Sequence, residues 1–247
     1  MDNTLYIALS RQTALWRELD MSANNMANLN TTAYKAMEPH FTQYFEKTVT
    51  DERLLKQKLI YTHDFGIVRD LRDGALSPTG NNLDFAISGD GYFVVDTKNG
   101  ERYTRNGHFK LDNEGKIVTS DGDALLGEDG KPFFIAPGES QISLNKNGTI
   151  STENGQIGKI KLVSFKDRLA LKETHGGLYI HDEDNKPEKD SVSVIEQGML
   201  EQSNVNAVVE MTKVIALHRA YEATNKLIDE ETERRGKMMD TFARVYN

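Results

Sequence analysis

The two ends of this 247-residue chain share one pattern and the middle carries another. From Thr4 to about Asn30 the apolar residues recur at helical spacing: Leu5, Ala8, Leu9, Leu15, Trp16, Leu19, Ala23, Met26 and Leu29. In heptads, 5, 12, 19 and 26 form one position, and the neighbourhoods of 8, 15, 22 and 29 form the other, with Gln12 and Ser22 interrupting the seam. No Pro or Gly breaks the stretch, which as a helix would run roughly 40 Å. From about Asn204 to Tyr246 the pattern returns through Ala207, Met211, Val214, Ile215, His218, Tyr221, Ile228, Met239 and Phe242. Gly236 is its only helix-weakening residue, and Asn204 or Ser203 is the expected N-cap. An amphipathic stripe must be covered. Two stripes at opposite ends can cover each other, which makes the middle an insertion, or they can pack against other chains. That arrangement suits polymerisation, and it predicts helices that are poorly ordered in an isolated subunit.

Between the helices the pattern becomes short β runs with Asn and Gly turns. Strands are predicted at Leu83–Ser88, Tyr92–Asp96, His108–Leu111, Lys116–Thr119, Phe133–Ala136, Gln141–Leu144, Thr149–Thr152 and Lys159–Phe165. Turns fall at Lys98-Asn99-Gly100, Asn113-Glu114-Gly115, Asp129-Gly130 and Asn147-Gly148, where Asn and Gly accept positive φ. No helical crossover separates these strands, so the sheet is antiparallel. The predicted class is mainly β, with a central antiparallel β domain inserted between long N- and C-terminal helices that pair as a coiled coil. The expected divisions are an N-terminal helix over 1–33, an extended β connector over 34–80, an all-β domain over 81–185, a return connector over 186–203 and a C-terminal helix over 204–247. The connector includes Pro39 and an alternating piece near Leu59–Leu71 that reads as part of a long hairpin, and Asp182–Asp190 reads as a surface loop.

Composition removes several function classes. A net charge of −8 is wrong for wrapping nucleic acid, and the chain has no polybasic membrane patch. The absence of cysteine removes disulfides, thiolate metal sites and cysteine nucleophiles. The N-terminus lacks the basic region and unbroken apolar core of a Sec signal, and no apolar run approaches the roughly 20 residues of a membrane span. The chain is therefore expected to insert in no membrane and, if exported, to leave by another route.

No motif points to catalysis. Gly89-Asp90-Gly91 follows a predicted strand, as a dinucleotide fingerprint would, but Val94 stands at the third glycine position and no helix follows; a tight turn accounts for it. Ser88 has Ala86 two residues before it, which rules out a nucleophile elbow. The six histidines are scattered, and only His175 and His181 lie near one another. Asp121, Asp123 and Asp129, or Asp182 and Asp184, do not fit a calcium loop. Catalytic, cofactor and metal residues are accordingly none. A cell-wall hydrolase would need paired acids in a cleft, and no pair stands out.

Four blocks carry a resemblance. Ser22–Lys35 reads SANNMANLNTTAYK, Leu76–Val95 reads LSPTGNNLDFAISGDGYFVV, Glu101–Gly127 reads ERYTRNGHFKLDNEGKIVTSDGDALLG, and Leu200–Ile228 reads LEQSNVNAVVEMTKVIALHRAYEATNKLI. In this order they resemble the flagellar basal-body rod, hook and hook-associated axial proteins. The length fits a rod protein better than a hook subunit, with a proximal position in the rod ahead of a distal one. Ala33 departs from the family, which often has Gly before the aromatic residue.

The resemblance implies a structural, non-enzymatic subunit. It would assemble with other rod proteins and with copies of itself, pass through the flagellar type III export apparatus, and reside in the basal-body rod within the periplasm. The proposed assembly interface is Leu5, Leu15, Leu19, Asn24, Asn25, Met26, Asn28, Met211, Ile215, Arg219, Tyr221 and Ile228. Asn24, Asn25 and Asn28 would set register between neighbouring helices through their amides. Glu210, Arg219 and Glu222 would pair across helices or remain solvated. The contrasting reading is a monomeric β-rich binding module whose helices form a private coiled coil.

Overall fold

The computed structural model describes residues 3–46, 59–139 and 141–245. Helix α1 spans Asn3–Ala27, and a long antiparallel hairpin follows, with strands β1 (Met37–Glu46) and β2 (Leu59–Arg69). Strands β3 (Leu76–Pro78), β4 (Phe85–Ser88), β5 (Tyr92–Thr97) and β6 (Gly100–Thr104) come next. A run of short strands leads to Met199–Glu201, and helix α2 spans Ala207–Val245. The chain divides into two compact units. The described parts of Met1–Ala27, Met37–Arg69 and Asn206–Asn247 form one, and Asn28–Ala36 with Asp70–Val205 form the other.

In the first unit the two helices pack on each other. Gln12 Nε2 donates to Tyr221 OH at 3.3 Å and also to Asn225 Oδ1. The Glu18 carboxylate senses Lys213, so the helices run antiparallel. Burial follows a seven-residue step. Ala8 and Ser22 are buried on α1 with Leu15 half-buried between them, and Glu210, Leu217 and Thr224 are buried on α2. The hairpin packs beside α1. Asn25 fixes the chain that enters β1: its Nδ2 donates to Met37 O at 2.9 Å, and Met37 N–H donates to its Oδ1 at 2.8 Å. With both backbone polar groups of the half-buried Met37 satisfied by one amide, the chain entering β1 is held in a single register.

The second unit is antiparallel β around strand β5. The sequence Tyr92-Phe93-Val94-Val95 is apolar throughout because both faces of the strand are covered. Phe93 and Val95 face a core with Phe85, Phe109, Ile117, Leu125, Ile150, Ile160 and Ile195. Tyr92 and Val94 face a second cluster with Tyr103, Phe165, Leu171 and Tyr179. Gly107 permits this packing, since a Cβ there would sit 1.6 Å from Phe85 O. Gly115, at φ +83°, closes the predicted turn against Ile135 O.

Several expectations change. Phe133–Ala136 forms no strand; Phe134 makes only an isolated bridge to Lys116. Strand β6, polar in sequence, was not predicted, nor was Val194–Gln197, which pairs with β4. The cap of α2 is neither Asn204 nor Ser203. Asn206 Oδ1 accepts from the N–H groups of Val208 (3.1 Å) and Val209 (3.2 Å), and the helix begins at Ala207. Residues 47–58 of the predicted connector, Tyr246 and the Phe242 side chain lie outside the described residues.

Candidate functional site

The helical pair sorts ten of the twelve proposed interface residues into two sets. Leu5, Leu15, Leu19, Met26, Tyr221 and Ile228 are half-buried, and those on α1 follow the heptad positions of the sequence pattern. Met211, Ile215, Arg219 and Asn24 are exposed. Asn25 is fully buried, and its amide is hydrogen-bonded to both backbone polar groups of Met37 in its own chain. Asn28 Oδ1 accepts from Thr31 Oγ1 at 3.0 Å. Glu210 and Glu222 approach residues of their own helix, Lys213 at 4.0 Å and His218 at 3.3 Å. Partial burial at the seam pushes the Glu18 carboxyl above the usual carboxylate range, and the Lys213 charge opposes this.

A second apolar stripe runs outside the seam. On α1, Tyr6, Leu9 and Trp16 are exposed, Trp16 by 58%, and on α2, Val208, Met211 and Ile215 are exposed, Ile215 by 49%. Spacings of three, four and seven residues keep these side chains on one face of each helix. Trp16 and Ile215 thus belong to exposed apolar stripes, one on each helix.

The motif blocks also build anchors that sequence reasoning did not assign. Asp84, in the block that starts at Leu76, is buried. Its carboxylate accepts from Thr79 Oγ1 (2.6 Å) and Asn81 Nδ2 (3.1 Å) and lies 2.8 Å from His108 Nδ1. Asn204 Oδ1 accepts from Ala36 N–H at 2.8 Å, and its Nδ2 donates to Asp70 O (2.8 Å) and Arg72 O (3.1 Å). Lys35, Arg105 and Glu201 are charged and almost wholly buried. A buried charge at a polar position has no periodic signature, and the blocks themselves were the only signal that pointed here.

The chemistry-bearing candidates lie elsewhere. His181 packs its ring on Tyr103 and Phe165, with centroids 5.7 and 6.2 Å apart. Gly89 and Gly91 press against Ser193, and Gly91 N–H donates to Ser193 Oγ at 3.0 Å, a loop closure with no helix behind it. An open cleft of about 370 Å³ is lined by Lys98, Arg102, Asp121, Asp123 and His175 among others. Among the described residues no group of three or more His, Asp and Glu could hold a metal ion, and no helix is long and apolar enough to cross a membrane.

Residues 5–35 match the family described as Flagella basal body rod protein. Residues 86–152 match Flagellar hook protein FlgE/F/G D1 domain, and residues 196–241 match Flagellar basal body rod FlgEFG protein C-terminal. The chain is 36% identical over 246 residues to the flagellar basal-body rod protein FlgF of Caulobacter vibrioides, covering 99% of this chain and 100% of that one. It is 32% identical to FlgF of Rhizobium meliloti, over 98% of each chain. It is 30% identical to the flagellar basal-body rod protein FlgG of Bacillus subtilis, over 94% of this chain and 96% of the other. With full-length relatives above and the domain matches in chain order, the chain belongs to the flagellar basal-body rod protein family.

Proposed function

We propose that this rod subunit polymerises through the outer stripe of its helical pair, which joins other axial subunits and copies of itself into a tube that transmits torque. The single observation that carries this reading is that stripe: each helix spends one face on its intrachain partner and still presents Trp16, Met211 and Ile215 to solvent. The pair acts as a coiled coil, supported by the seven-residue spacing of its buried positions. A proximal position in the rod is favoured by 32–36% identity to FlgF proteins against 30% to a FlgG. The subunit is exported through the flagellum's own type III apparatus and resides in the periplasmic part of the basal body; its membership of the rod protein family supports this. Its role is structural, and no residue is assigned to catalysis.

The test is a cell whose only copy of this protein carries Trp16→Glu and Ile215→Glu. Both side chains are exposed, so the variant should fold and be exported, yet cells should not swim because a charge in a desolvated contact opposes assembly. Normal swimming would remove the outer stripe from the account.

A further inference from the structure

All four motif blocks meet at one buried group of charges in the second unit. Lys35 comes from the first block, Gly89 and Tyr92 from the second, Arg105 from the third and Glu201 from the fourth. Lys35, Arg105 and Glu201 are 3%, 2% and 1% exposed. Lys35 Nζ donates to Glu201 Oε1 at 2.6 Å and to Arg72 O at 2.8 Å. Glu201 Oε1 also accepts from Gly74 N–H at 3.0 Å. Arg105 Nη1 stands 3.6 Å from Glu201 Oε2, and Arg105 Nη2 stands 3.4 Å from Asp73 Oδ1. Arg105 donates to Gly89 O at 2.6 Å, and its guanidinium lies 5.2 Å from the centre of the Tyr92 ring. Each buried cation has the buried Glu201 and the exposed Asp73 within 4 Å, and such pairing is the condition for keeping charges out of water.

Backbone pairing surrounds this group. Ala33 N–H donates to Glu201 O (2.8 Å), Gln202 N–H to Ala75 O (2.9 Å) and Asp70 N–H to Ala36 O (2.9 Å). The segments so tied, 28–36, 70–75 and 199–205, include every place where the chain enters or leaves the second unit. Few apolar side chains bind them to the two cores: Ala33, Ala36 and Leu200 are their buried apolar residues.

We infer that Lys35, Arg105 and Glu201 form an ion-paired clasp that closes the entry and exit segments of the second unit, and that this clasp opens as a cooperative unit of its own while the β core stays folded. The ion pairs supply the closure that apolar burial supplies elsewhere, so the clasp rather than the core decides whether these segments are ordered. The inference rests on geometry inside the second unit and stands apart from the polymerisation reading.

The test is native-state amide hydrogen exchange on the full-length purified protein, compared with Lys35→Met and Glu201→Gln. Lys35→Met removes the Nζ partner of the buried Glu201 carboxylate and leaves it Gly74 N–H and the Arg105 charge 3.6 Å away. It should speed exchange at Ala33, Gly74 and Gln202 by about a hundredfold or more. Phe85 and Leu126, whose N–H groups pair inside the core, should stay within about threefold of the parent. Glu201→Gln keeps the shape and removes one charge, and should speed the same three amides by about tenfold with the core unchanged. Unchanged exchange at the three amides overturns the inference. So does acceleration that spreads equally to Phe85 and Leu126 in either variant, as does a Lys35→Met chain that does not fold.

Discussion

Ala33 shows how one residue records both the family pattern and its local cost. The family often has Gly before the aromatic residue, and here Ala33 takes the left-handed conformation at φ +57° while its N–H reaches Glu201 O. An L-residue there costs on the order of 1 kcal/mol, and a β-branched one costs more. Ala33→Val should destabilise the protein by about 1–2 kcal/mol in urea titration, and Ala33→Gly should be neutral or stabilising by up to about 1 kcal/mol. Asn25 makes the complementary case. Asn25→Leu removes the partner of both Met37 polar groups and should cost about 2–3 kcal/mol in the same measurement. An unchanged midpoint would mean that these two hydrogen bonds do not stabilise the folded subunit.

At the scale of elements, what was legible had a period or a turn signal. The terminal helices, strand β5 and the Asn-Gly turns were readable because apolar spacing and positive φ leave marks in sequence. Strand β6, which reads GERYT, was not, because only Tyr103 and Thr104 are buried, while Gly100 and Glu101 are exposed and Arg102 is half-buried. The helix cap, expected at Asn204 or Ser203, falls two or three residues later at Asn206, because Asn204 is engaged by the backbone of Ala36, Asp70 and Arg72. The seam itself can be weighed. Leu217→Ala, at a buried heptad position, should cost about 2–3 kcal/mol, and Ile215→Ala, on the exposed stripe, less than about 0.5 kcal/mol in thermal unfolding. The loop that closes on Gly91 adds a pH dependence. Burial pushes the Asp190 carboxyl up, but hydrogen bonds from Ser193 Oγ and the Val192 and Ser193 N–H groups, with the Arg105 charge, outweigh it and hold it below its ordinary value. On acidification the unfolded chain therefore takes up this proton first, near pH 3.9, so the contribution is present above that pH and is lost as pH falls through the lower folded value. Asp190→Asn should lower stability at pH 7 and flatten its decline below about pH 4, as followed by unfolding midpoints across that range.

At the scale of the whole molecule, the account joins two kinds of cohesion. The β unit is an ordinary apolar core with buried aromatic and aliphatic side chains, and its entry segments are closed by ion pairs. The helical unit covers one apolar face within the chain and leaves another exposed. An assembly built on that second face gains stiffness by burying area that the lone subunit leaves wet. The most direct measurement places a photoreactive amino acid at Ile215 in cells whose only copy of the protein carries it, with irradiation of intact basal bodies. The account predicts covalent adducts to another axial subunit or a second copy, from a position that forms none in dilute purified protein. Cells that swim and assemble normal rods, yet give no adduct from Ile215 or from Trp16, would contradict it.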